Sequence, residues 1–348
     1  RPAAPTPSVA SWTSRPLATV ALDLLGGDGA PGVVADAIAR LCDPAGEPGD
    51  ADIDLIVVGP ASTARSLLAE RGVDPDAVRI VDAGRGASMA GNPLSTLRAH
   101  DDVTVTVAVG LVQARLADGW VSVGHTGAAV AAAVLGLGRL SGMSRPALAV
   151  VVPSLAGPVV LVDAGAATDA TPDVLRQFAL AGWAYSTSLG VASPRVGLLS
   201  IGSEAGKGDR LRKSTHDLFA ETLPCVGVRY VGPVEGHDVA LGAQADVIVT
   251  DGFTGNVLLK GIEGAVRWSA LRMGELYGDP DPARAIVRQT ATSEFAGGML
   301  LGVNGVTVVG HGAGTADEIC ACVRLADKAA RTGLVTATQR ALAAVASA

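Results

Sequence analysis

The sequence predicts a Rossmann-like α/β protein, in which a mostly parallel sheet carries helices on both faces. From Leu17 onward, short runs rich in Val, Ile and Leu alternate with longer segments whose apolar residues recur near the 3.6-residue helical period. Glycine-rich turns join several of these runs to the segments that follow, as the βα turns of a parallel sheet do. Both observations favour one covered sheet over a helical bundle or an all-β fold.

The positions of the strands and helices follow from the short apolar runs and from the segments with the helical period. Strands are predicted for the short β-branched runs at 18–23, 54–58, 78–81, 120–123, 195–201, 226–231, 246–250 and 306–309. Helices are predicted for the amphipathic segments at 31–41, 62–71, 101–117, 126–137, 173–189, 208–221, 254–277 and 315–331. The Ala-rich segment 335–348 is expected to be a further packing helix.

A hairpin interrupts the βα alternation at the middle of the chain. Two apolar runs, 147–152 and 159–162, flank the turn ProSerLeuAlaGlyPro. The hairpin predicts an antiparallel edge or a border between two lobes near residues 140–165. Residues 17–348 are expected to form one large α/β domain, and the Pro-, Ala- and Ser-rich residues 1–16 a flexible tail without a secretory signal.

Composition excludes several classes of protein. A net charge of −7 and the lack of a long basic stripe argue against nucleic-acid binding. Gly119–Gly138 is uncharged and long enough to span a bilayer, but its five glycines and polar residues fit a strand, a turn and a helix better. The four irregularly spaced cysteines and the lack of an HExxH motif predict no disulfide framework, no bound metal and a reducing cytoplasm, with Cys320 and Cys322 buried.

Four glycine-rich turns carry the strongest functional signal. Each follows a predicted strand and precedes a helix, where backbone N–H groups and a helix N-terminus face an anion. The turns are 26–31, 124–127, 202–209 and 251–256. They are expected to gather at one sheet edge around a single site of phosphate or nucleotide size, although any one of them can be simply a tight turn.

Nucleotide motifs fail on spacing. Between Gly202 and Gly206 lie three residues where a P-loop has four, and Gly208 stands where a P-loop has Ser or Thr. In the GlyHisGlyAlaGly run at 310–314 the third glycine comes one place early for a dinucleotide fingerprint. An ordinary NAD site is therefore disfavoured.

Two lysines are candidate ligands of an oxyanion. Lys207 lies between two glycines just before a helix, so its ammonium group and the first N–H groups of that helix can hold the same anion. Lys260 follows Asn256 by four residues, which places both on one helical face. A solvated loop lysine remains the alternative for Lys207.

Other polar residues stand at strand ends. His125 is a candidate general base or hydrogen-bond donor, with helix capping as the alternative. Asp23 and Asp28 flank a double glycine, where they can orient a lysine, accept a ligand proton or cap a turn.

Six stretches resemble the PlsX phosphate acyltransferases over nearly the whole chain. They are 21–31, 121–128, 197–209, 234–238, 246–264 and 300–312. The resemblance implies acyl transfer from acyl carrier protein to inorganic phosphate, which yields an acyl-phosphate for phospholipid synthesis without a cofactor. It also implies a cytoplasmic homodimer that associates reversibly with the inner face of the membrane and passes its product to a membrane glycerol-phosphate acyltransferase.

Together with the turns, the resemblance yields a set of candidate site residues. The expected catalytic residues are Lys207, His125, Asn256 and Asp28. The expected phosphate and substrate ligands are Gly26, Gly27, Gly124, Thr126, Gly127, Gly206, Gly208, Asp251, Gly255, Lys260 and Asn304. Candidate charges for docking the acidic carrier are Arg210, Arg212 and Lys213, or Arg324, Lys328 and Arg331.

The sequence departs from the family pattern at four places. The family commonly has His where this chain has Gly29, Asn where it has His125 and Ala167, and Lys near His100. Three alternatives therefore stay open: a phosphate acetyltransferase-like enzyme that uses acyl-CoA, a nicotinamide-dependent oxidoreductase on a similar fold, and a noncatalytic scaffold for the carrier.

Overall fold

A computed structural model describes residues 17–43, 45–47, 53–87, 97, 99–204, 206–279, 281–291 and 296–346. Eleven strands form one sheet in the order β3-β2-β1-β4-β11-β10-β5-β6-β9-β7-β8. The strands are β1 (Thr19–Asp23), β2 (Asp54–Gly59), β3 (Arg79–Asp82), β4 (Gly119–Ser122), β5 (Ala147–Val152), β6 (Val159–Val162), β7 (Arg195–Leu199), β8 (Arg229–Val234), β9 (Val247–Val249), β10 (Gly298–Leu301) and β11 (Val306–Val309).

Helices connect most of the strands and cover the sheet. In chain order they are α1 (Gly32–Leu41), α2 (Ala61–Glu70), α3 (Thr104–Gln113), α4 (Thr126–Gly136), α5 (Pro172–Ser188), α6 (Arg210–Thr222), α7 (Gly236–Leu241), α8 (Gly252–Tyr277), α9 (Asp281–Ala291), α10 (Ala316–Arg331) and α11 (Leu334–Ala346). In the part of the chain that the structure describes, no helix has the length and hydropathy needed to cross a membrane.

Both faces of the sheet are buried, as successive residues of β1 show. Val20 and Leu22 belong to one apolar cluster and Ala21 to another on the opposite face. The predicted Rossmann-like α/β fold, with its mostly parallel sheet and central hairpin, is therefore confirmed.

The direction of the strands changes between the two halves of the sheet. Strands β3, β2, β1, β4 and β11 are parallel to one another, and β6, β9, β7 and β8 form a second parallel set. Between the sets, the pairings of β11 with β10, β10 with β5 and β5 with β6 are all antiparallel. Three reversals leave the second set running opposite to the first.

Four elements differ from the predictions. Strand β8 begins three residues later than predicted, because Pro224–Val226 form a 3₁₀ turn that ends at Gly227 with a φ of 79°. Strand β10 and helices α7 and α9 were not predicted at all. The expected tail at residues 1–16 lies outside the described residues. The division into lobes stays a prediction, since one continuous sheet passes through residues 140–165.

Candidate active site

The four glycine-rich turns form two separate groups. The first loop cluster comprises residues 24–28, 122–127 and 310–314, which follow the adjacent parallel strands β1, β4 and β11. The second loop cluster comprises residues 163–170, 200–212 except 205, and 250–256, which follow β6, β7 and β9. Both clusters follow the carboxyl ends of their strands, but because the two sets of strands run in opposite directions, the clusters lie at opposite ends of the sheet.

A buried carboxylate organises the first loop cluster. Ser122 Oγ donates to Asp23 Oδ2 at 2.7 Å, and the Leu25 N–H donates to Asp23 Oδ1 at 3.0 Å. Burial raises the pKa of Asp23. Gly26 packs directly on this pair, since a Cβ there would lie 2.8 Å from both Asp23 Oδ2 and Ser122 Oγ. Asp23 therefore joins the turns after β1 and β4.

The turn that contains Gly27 and Asp28 also contacts the turn after β11. Gly27 has a φ of +98°, and a Cβ there would lie 3.0 Å from the carbonyl oxygen of Gly312. The Asp28 N–H donates to that same oxygen at 2.7 Å. The Asp28 carboxylate itself is exposed, so its role toward a substrate stays a prediction.

His125 caps helix α4. Its Nδ1 accepts a hydrogen bond from the Ala128 N–H at 3.2 Å, so the neutral ring carries its proton on Nε2. In that tautomer, Nε2 can donate a hydrogen bond but has no lone pair with which to act as a general base. The capping alternative is thus observed, and the remaining role open to His125 is that of a donor. Thr126 and Gly127 follow it in the exposed first turn of α4.

Asp163 organises the second loop cluster in a similar way. It is fully buried at the end of β6, and its carboxylate accepts four backbone N–H groups at 2.6 to 2.9 Å. The donors belong to Leu148, Gly165, Ala166 and Ala167. Burial raises the pKa of Asp163, and the four hydrogen bonds counteract part of that rise. The carboxylate therefore fixes the 163–167 loop.

The first turn of α8 packs on this loop through two glycines. A Cβ at Gly255 would lie 1.9 Å from Asp163 O, and one at Gly252 would lie 2.7 Å from Ala167 O. Gly252 N–H also donates to Ala167 O at 2.8 Å, and Asn256 Nδ2 donates to Ala164 O at 3.1 Å. Gly255 and Asn256 therefore hold the helix against the loop, and one N–H of the Asn256 amide remains for a ligand.

Arg212 joins helix α6 to the start of α8. Its guanidinium donates to Thr254 Oγ1 at 3.1 Å and to Asp209 Oδ2 at 3.1 Å, and it forms an ion pair with Asp251. Asp251 also caps α8 by accepting the Thr254 N–H at 2.9 Å. Burial acts to raise the pKa of Asp251, but the hydrogen bonds from Thr254 and the charge of Arg212 outweigh it, so the pKa lies below its ordinary value.

An open cavity of about 400 Å³ lies beside this ion pair. Its walls come from three segments of the second loop cluster, namely 168–170, Leu211–Arg212 and 251–254. Lys207 is exposed in the same β7–α6 turn, between Gly206 and Gly208. The cavity is thus lined by the Arg212 guanidinium and by the hydroxyls of Thr168 and Thr254, which are suitable donors for an anion, together with the carboxylates of Asp169 and Asp251.

The prediction that the four turns gather at a single sheet edge is wrong, because they lie at opposite ends of the sheet. Lys207, Gly206, Gly208, Asp251, Gly255 and Asn256 come together in the second loop cluster. Gly26, Gly27, Asp28, Gly124, His125, Thr126 and Gly127 belong to the first. The reversal of strand direction, which sequence periodicity does not reveal, separates them.

Two predicted ligands, Lys260 and Asn304, lie in neither loop cluster. Lys260 Nζ pairs with Glu263 at 2.7 Å, one turn further along α8 and away from the helix start. Asn304 Nδ2 donates to the carbonyl oxygens of Leu137 and Arg139 at 3.2 and 3.0 Å, which stabilises the turn between β10 and β11. Because β11 starts here, Asn304 lies at the opposite strand end from residues 310–314.

Two residues of the second loop cluster, Asp163 and Arg212, were not predicted as ligands. Arg212 was considered only as a docking charge, yet its side chain is 12% exposed and lines the cavity. Asp163 was not predicted at all. Its signal is an aspartate directly after the apolar run ValValLeuVal, at the carboxyl end of a strand. Among the described residues, no group of three His, Cys, Asp or Glu side chains could hold a metal ion.

Comparison with known proteins decides the family. Residues 18–337 match the family model described as "Fatty acid synthesis protein". The chain is 36% identical over 329 residues to the phosphate acyltransferase of Desulfitobacterium hafniense, covering 91% of this chain and 95% of that protein. It is 39% identical over 326 residues to the phosphate acyltransferase of a Cyanothece species, covering 90% and 92%. The chain belongs to the PlsX family of phosphate acyltransferases.

The PlsX chain also shares its fold with a solved acyltransferase structure. A phosphotransacetylase from Streptococcus pyogenes superposes with a TM-score of 0.63 at 18% identity, covering 90% of this chain and 94% of that one. This similarity concerns the fold alone. Membership of the PlsX family, which rests on sequence identity, makes the chain an acyltransferase.

Two departures from the PlsX pattern have a local structural explanation. Ala167 holds the loop through its backbone alone: its N–H donates to the Asp163 carboxylate, and its carbonyl oxygen accepts a hydrogen bond from the Gly252 N–H. The loop therefore keeps its shape without an Asn side chain, but the second loop cluster lacks that amide. At His125 the ring nitrogen caps α4, a role that an Asn oxygen also fills.

Proposed function

We propose that the protein transfers a fatty acyl group from acyl carrier protein to inorganic phosphate and releases an acyl-phosphate for phospholipid synthesis. The observation that carries the proposal is the 36–39% identity, over nine-tenths of the chain, to proteins named phosphate acyltransferase. The cavity of the second loop cluster supports it, because its donors suit a phosphate ion.

Phosphate binds in the second loop cluster in this proposal. Arg212 and Thr254 line the cavity, and Lys207 lies on the turn next to it. Since Asp251 already neutralises part of the Arg212 charge, the Lys207 ammonium supplies the additional positive charge that a dianion needs. The first loop cluster holds no described cationic side chain of Lys or Arg, which makes it the weaker candidate for phosphate.

The reaction needs no covalent enzyme intermediate. One oxygen of hydrogen phosphate attacks the thioester carbonyl carbon, a C–O bond forms and the C–S bond breaks. The phosphate proton passes to the leaving thiolate, which departs as the thiol of the carrier arm. Holding the two reactants together lowers the barrier by proximity, and the remaining Asn256 N–H or a backbone N–H of the first turn of α8 stabilises the oxyanion.

The cellular setting is also part of the proposal. We place the enzyme in the cytoplasm as a homodimer that binds reversibly to the inner face of the membrane and passes acyl-phosphate to a membrane glycerol-phosphate acyltransferase. Exposed apolar side chains on the distal half of α8 support an interface of this kind; they are Trp268, Leu271, Leu276 and Tyr277.

Trapping with hydroxylamine tests the reaction. Purified protein is given palmitoyl carrier protein with and without phosphate, and acyl-hydroxamate and free thiol are measured together. We expect both products to appear only when phosphate is present and to rise in equal amounts. Thiol release that is independent of phosphate would indicate a thioesterase, and carrier binding without thiol release would favour the noncatalytic scaffold. Palmitoyl-CoA as the only accepted donor would favour the phosphotransacetylase-like alternative.

A further inference from the structure

Exposed apolar side chains lie on the two chain segments that lead away from β7 and β9 toward the cavity of the second loop cluster. Ile201, Phe253 and Val257 are 80%, 65% and 58% exposed, although each is a large apolar residue. Leu198 of β7 pairs with Val249 of β9, so the chain segments that carry Ile201 and Phe253 leave adjacent strand ends in register. Phe253 also lines the cavity. Phe253 therefore borders the proposed phosphate site, while Ile201 lies on the adjacent segment after β7 and Val257 one turn further along α8.

Three cations accompany these apolar residues. Lys207, Arg210 and Lys213 are exposed and form no ion pair with any residue that the structure describes. Arg210 and Lys213 belong to the first turn and a half of α6, the turn that contributes Leu211 and Arg212 to the cavity wall. In a chain of net charge −7 this is a local excess of positive charge.

Arg212 does not belong to this exposed group. Its side chain points inward to Asp251 and Thr254, so it serves the cavity and not a partner. The other predicted docking set is less suitable, since Arg331 is paired with Asp327 at 2.7 Å on α10.

We infer that an acidic protein carrier docks on the entrance surface, which consists of Ile201, Lys207, Arg210, Lys213, Phe253 and Val257. The inference rests on the proposed function, because it names where the acyl donor binds. Cations around an apolar centre complement a carrier that presents carboxylates around a small apolar patch. A carrier bound here delivers its thioester arm directly into the cavity that Arg212 and Thr254 line.

Charge reversal at Arg210 and Lys213 tests the surface. Both changes place an acidic residue near the N-terminus of α6, where the helix dipole favours negative charge, so the fold is expected to survive. In Arg210→Glu/Lys213→Glu, we expect kcat/KM for palmitoyl carrier protein to fall by about tenfold or more, mainly through KM, as expected when steering charges are reversed. We expect kcat/KM for palmitoyl-CoA, which has no carrier domain, to fall much less.

A matched control variant and two apolar-to-polar variants test whether the effect is specific to the entrance surface. Arg145, an exposed cation that precedes β5 and lies outside both loop clusters, provides the control Arg145→Glu, which should behave as wild type with both donors. Ile201→Ser and Val257→Ser remove apolar contact without a charge change. They should weaken carrier binding while leaving its salt dependence intact, whereas charge reversal should flatten the salt dependence.

Three outcomes would overturn the inference. These are equal losses with both donors, no loss with either, and a loss of binding to anionic phosphatidylglycerol vesicles with unchanged carrier kinetics, which would assign the surface to a membrane. If wild-type protein transfers acyl groups from neither donor, the proposed function fails. In that case calorimetry with acyl carrier protein and the same variants still decides whether the carrier docks here.

Discussion

At the start of α8, the absence of a side chain at Gly255 allows the helix to pack closely against the loop after β6. Gly255 contacts the backbone of Asp163 so closely that a Cβ would lie 1.9 Å from its carbonyl oxygen. A backbone atom cannot move aside by changing rotamer, so the overlap must shift either the helix or the loop. Since Asp251, Thr254 and Asn256 lie on this helical turn, such a shift also changes the cavity.

Gly255→Ala is therefore expected to destabilise the protein by about 1–3 kcal/mol, the usual cost of overpacking. Urea unfolding at neutral pH measures it. Gly261→Ala is the matched control on the same helix, since a Cβ there meets nothing within 4 Å. The control should be neutral or stabilising by up to about 1 kcal/mol, because alanine is the better helix former. Equal effects of the two changes would contradict the packing described for Gly255.

The cap at His125 yields a second prediction at this scale. His125→Ala removes the acceptor of the Ala128 N–H and should cost about 0.5–2 kcal/mol of stability. His125→Asn keeps an acceptor at the N-cap and should retain most of that stability. Thermal unfolding of the three proteins compares them, and an Asn variant as unstable as the Ala variant would argue against capping.

Single residues were only partly predictable from the sequence. Lys207, Asn256 and Asp251, which were suggested by glycine-rich turns after strands, lie in the second loop cluster, and their role stays a prediction. Lys260 was predicted as a phosphate ligand, whereas in the structure it pairs with Glu263, a local partner three residues further on that a helix brings within reach. Arg212 has no distinguishing sequence signal, since its inward direction depends on Asp251, 39 residues away.

At the scale of elements, an ion pair joins strand β7 to the segment that leads into β9. Arg195 donates from its backbone N–H and from Nε to Asp246 Oδ2 at 2.7 and 3.0 Å, and from Nη2 to Oδ1 at 2.9 Å. Burial acts to raise the pKa of Asp246, but these hydrogen bonds and the charge of Arg195 outweigh it, so the pKa is lowered.

A lowered pKa in the folded state fixes the sign of the pH dependence. The contribution of Asp246 is complete above the pKa of about 3.9 of an unfolded aspartate and is lost as the pH falls through the lower folded value. Wild-type protein should therefore lose stability below about pH 4 more steeply than Asp246→Asn. Urea unfolding from neutral pH downward tests this, and parallel curves for the two proteins would contradict it.

Most elements could be predicted because hydrophobic periodicity is a local property. The hairpin formed by β5 and β6 was visible from its prolines and apolar runs. Strand β10 was missed because it is only four residues long and is placed by antiparallel pairing with β5, about 150 residues earlier in the chain. Such pairing over a long sequence distance leaves no signal in the strand itself.

At the scale of the whole molecule, the order and direction of the strands decide which loops can share a site. The reversal across β10, β5 and β6 places the glycine-rich turns in two clusters. The sequence indicated the turns but not their grouping, since grouping depends on pairings between distant strands.

The exposed apolar half of α8 makes a prediction about assembly. Trp268 and Leu271 lie three residues apart on one exposed side of the helix, as residues of an interface do. If they form the dimer, Trp268→Glu/Leu271→Glu should shift the protein from dimer to monomer in sedimentation at micromolar concentration. Monomeric wild-type protein, or a variant that stays dimeric, would exclude this interface.

The central claim is that phosphate binds at the second loop cluster, and the phosphate dependence of thiol release from palmitoyl carrier protein tests it most directly. In Lys207→Ala, loss of a charge-assisted hydrogen bond of about 1.5–3 kcal/mol should lower kcat/KM for phosphate by roughly 10- to 150-fold. Lys260→Ala, a lysine paired on the helix surface, should change it by less than about threefold. An unchanged phosphate dependence in Lys207→Ala would contradict the account.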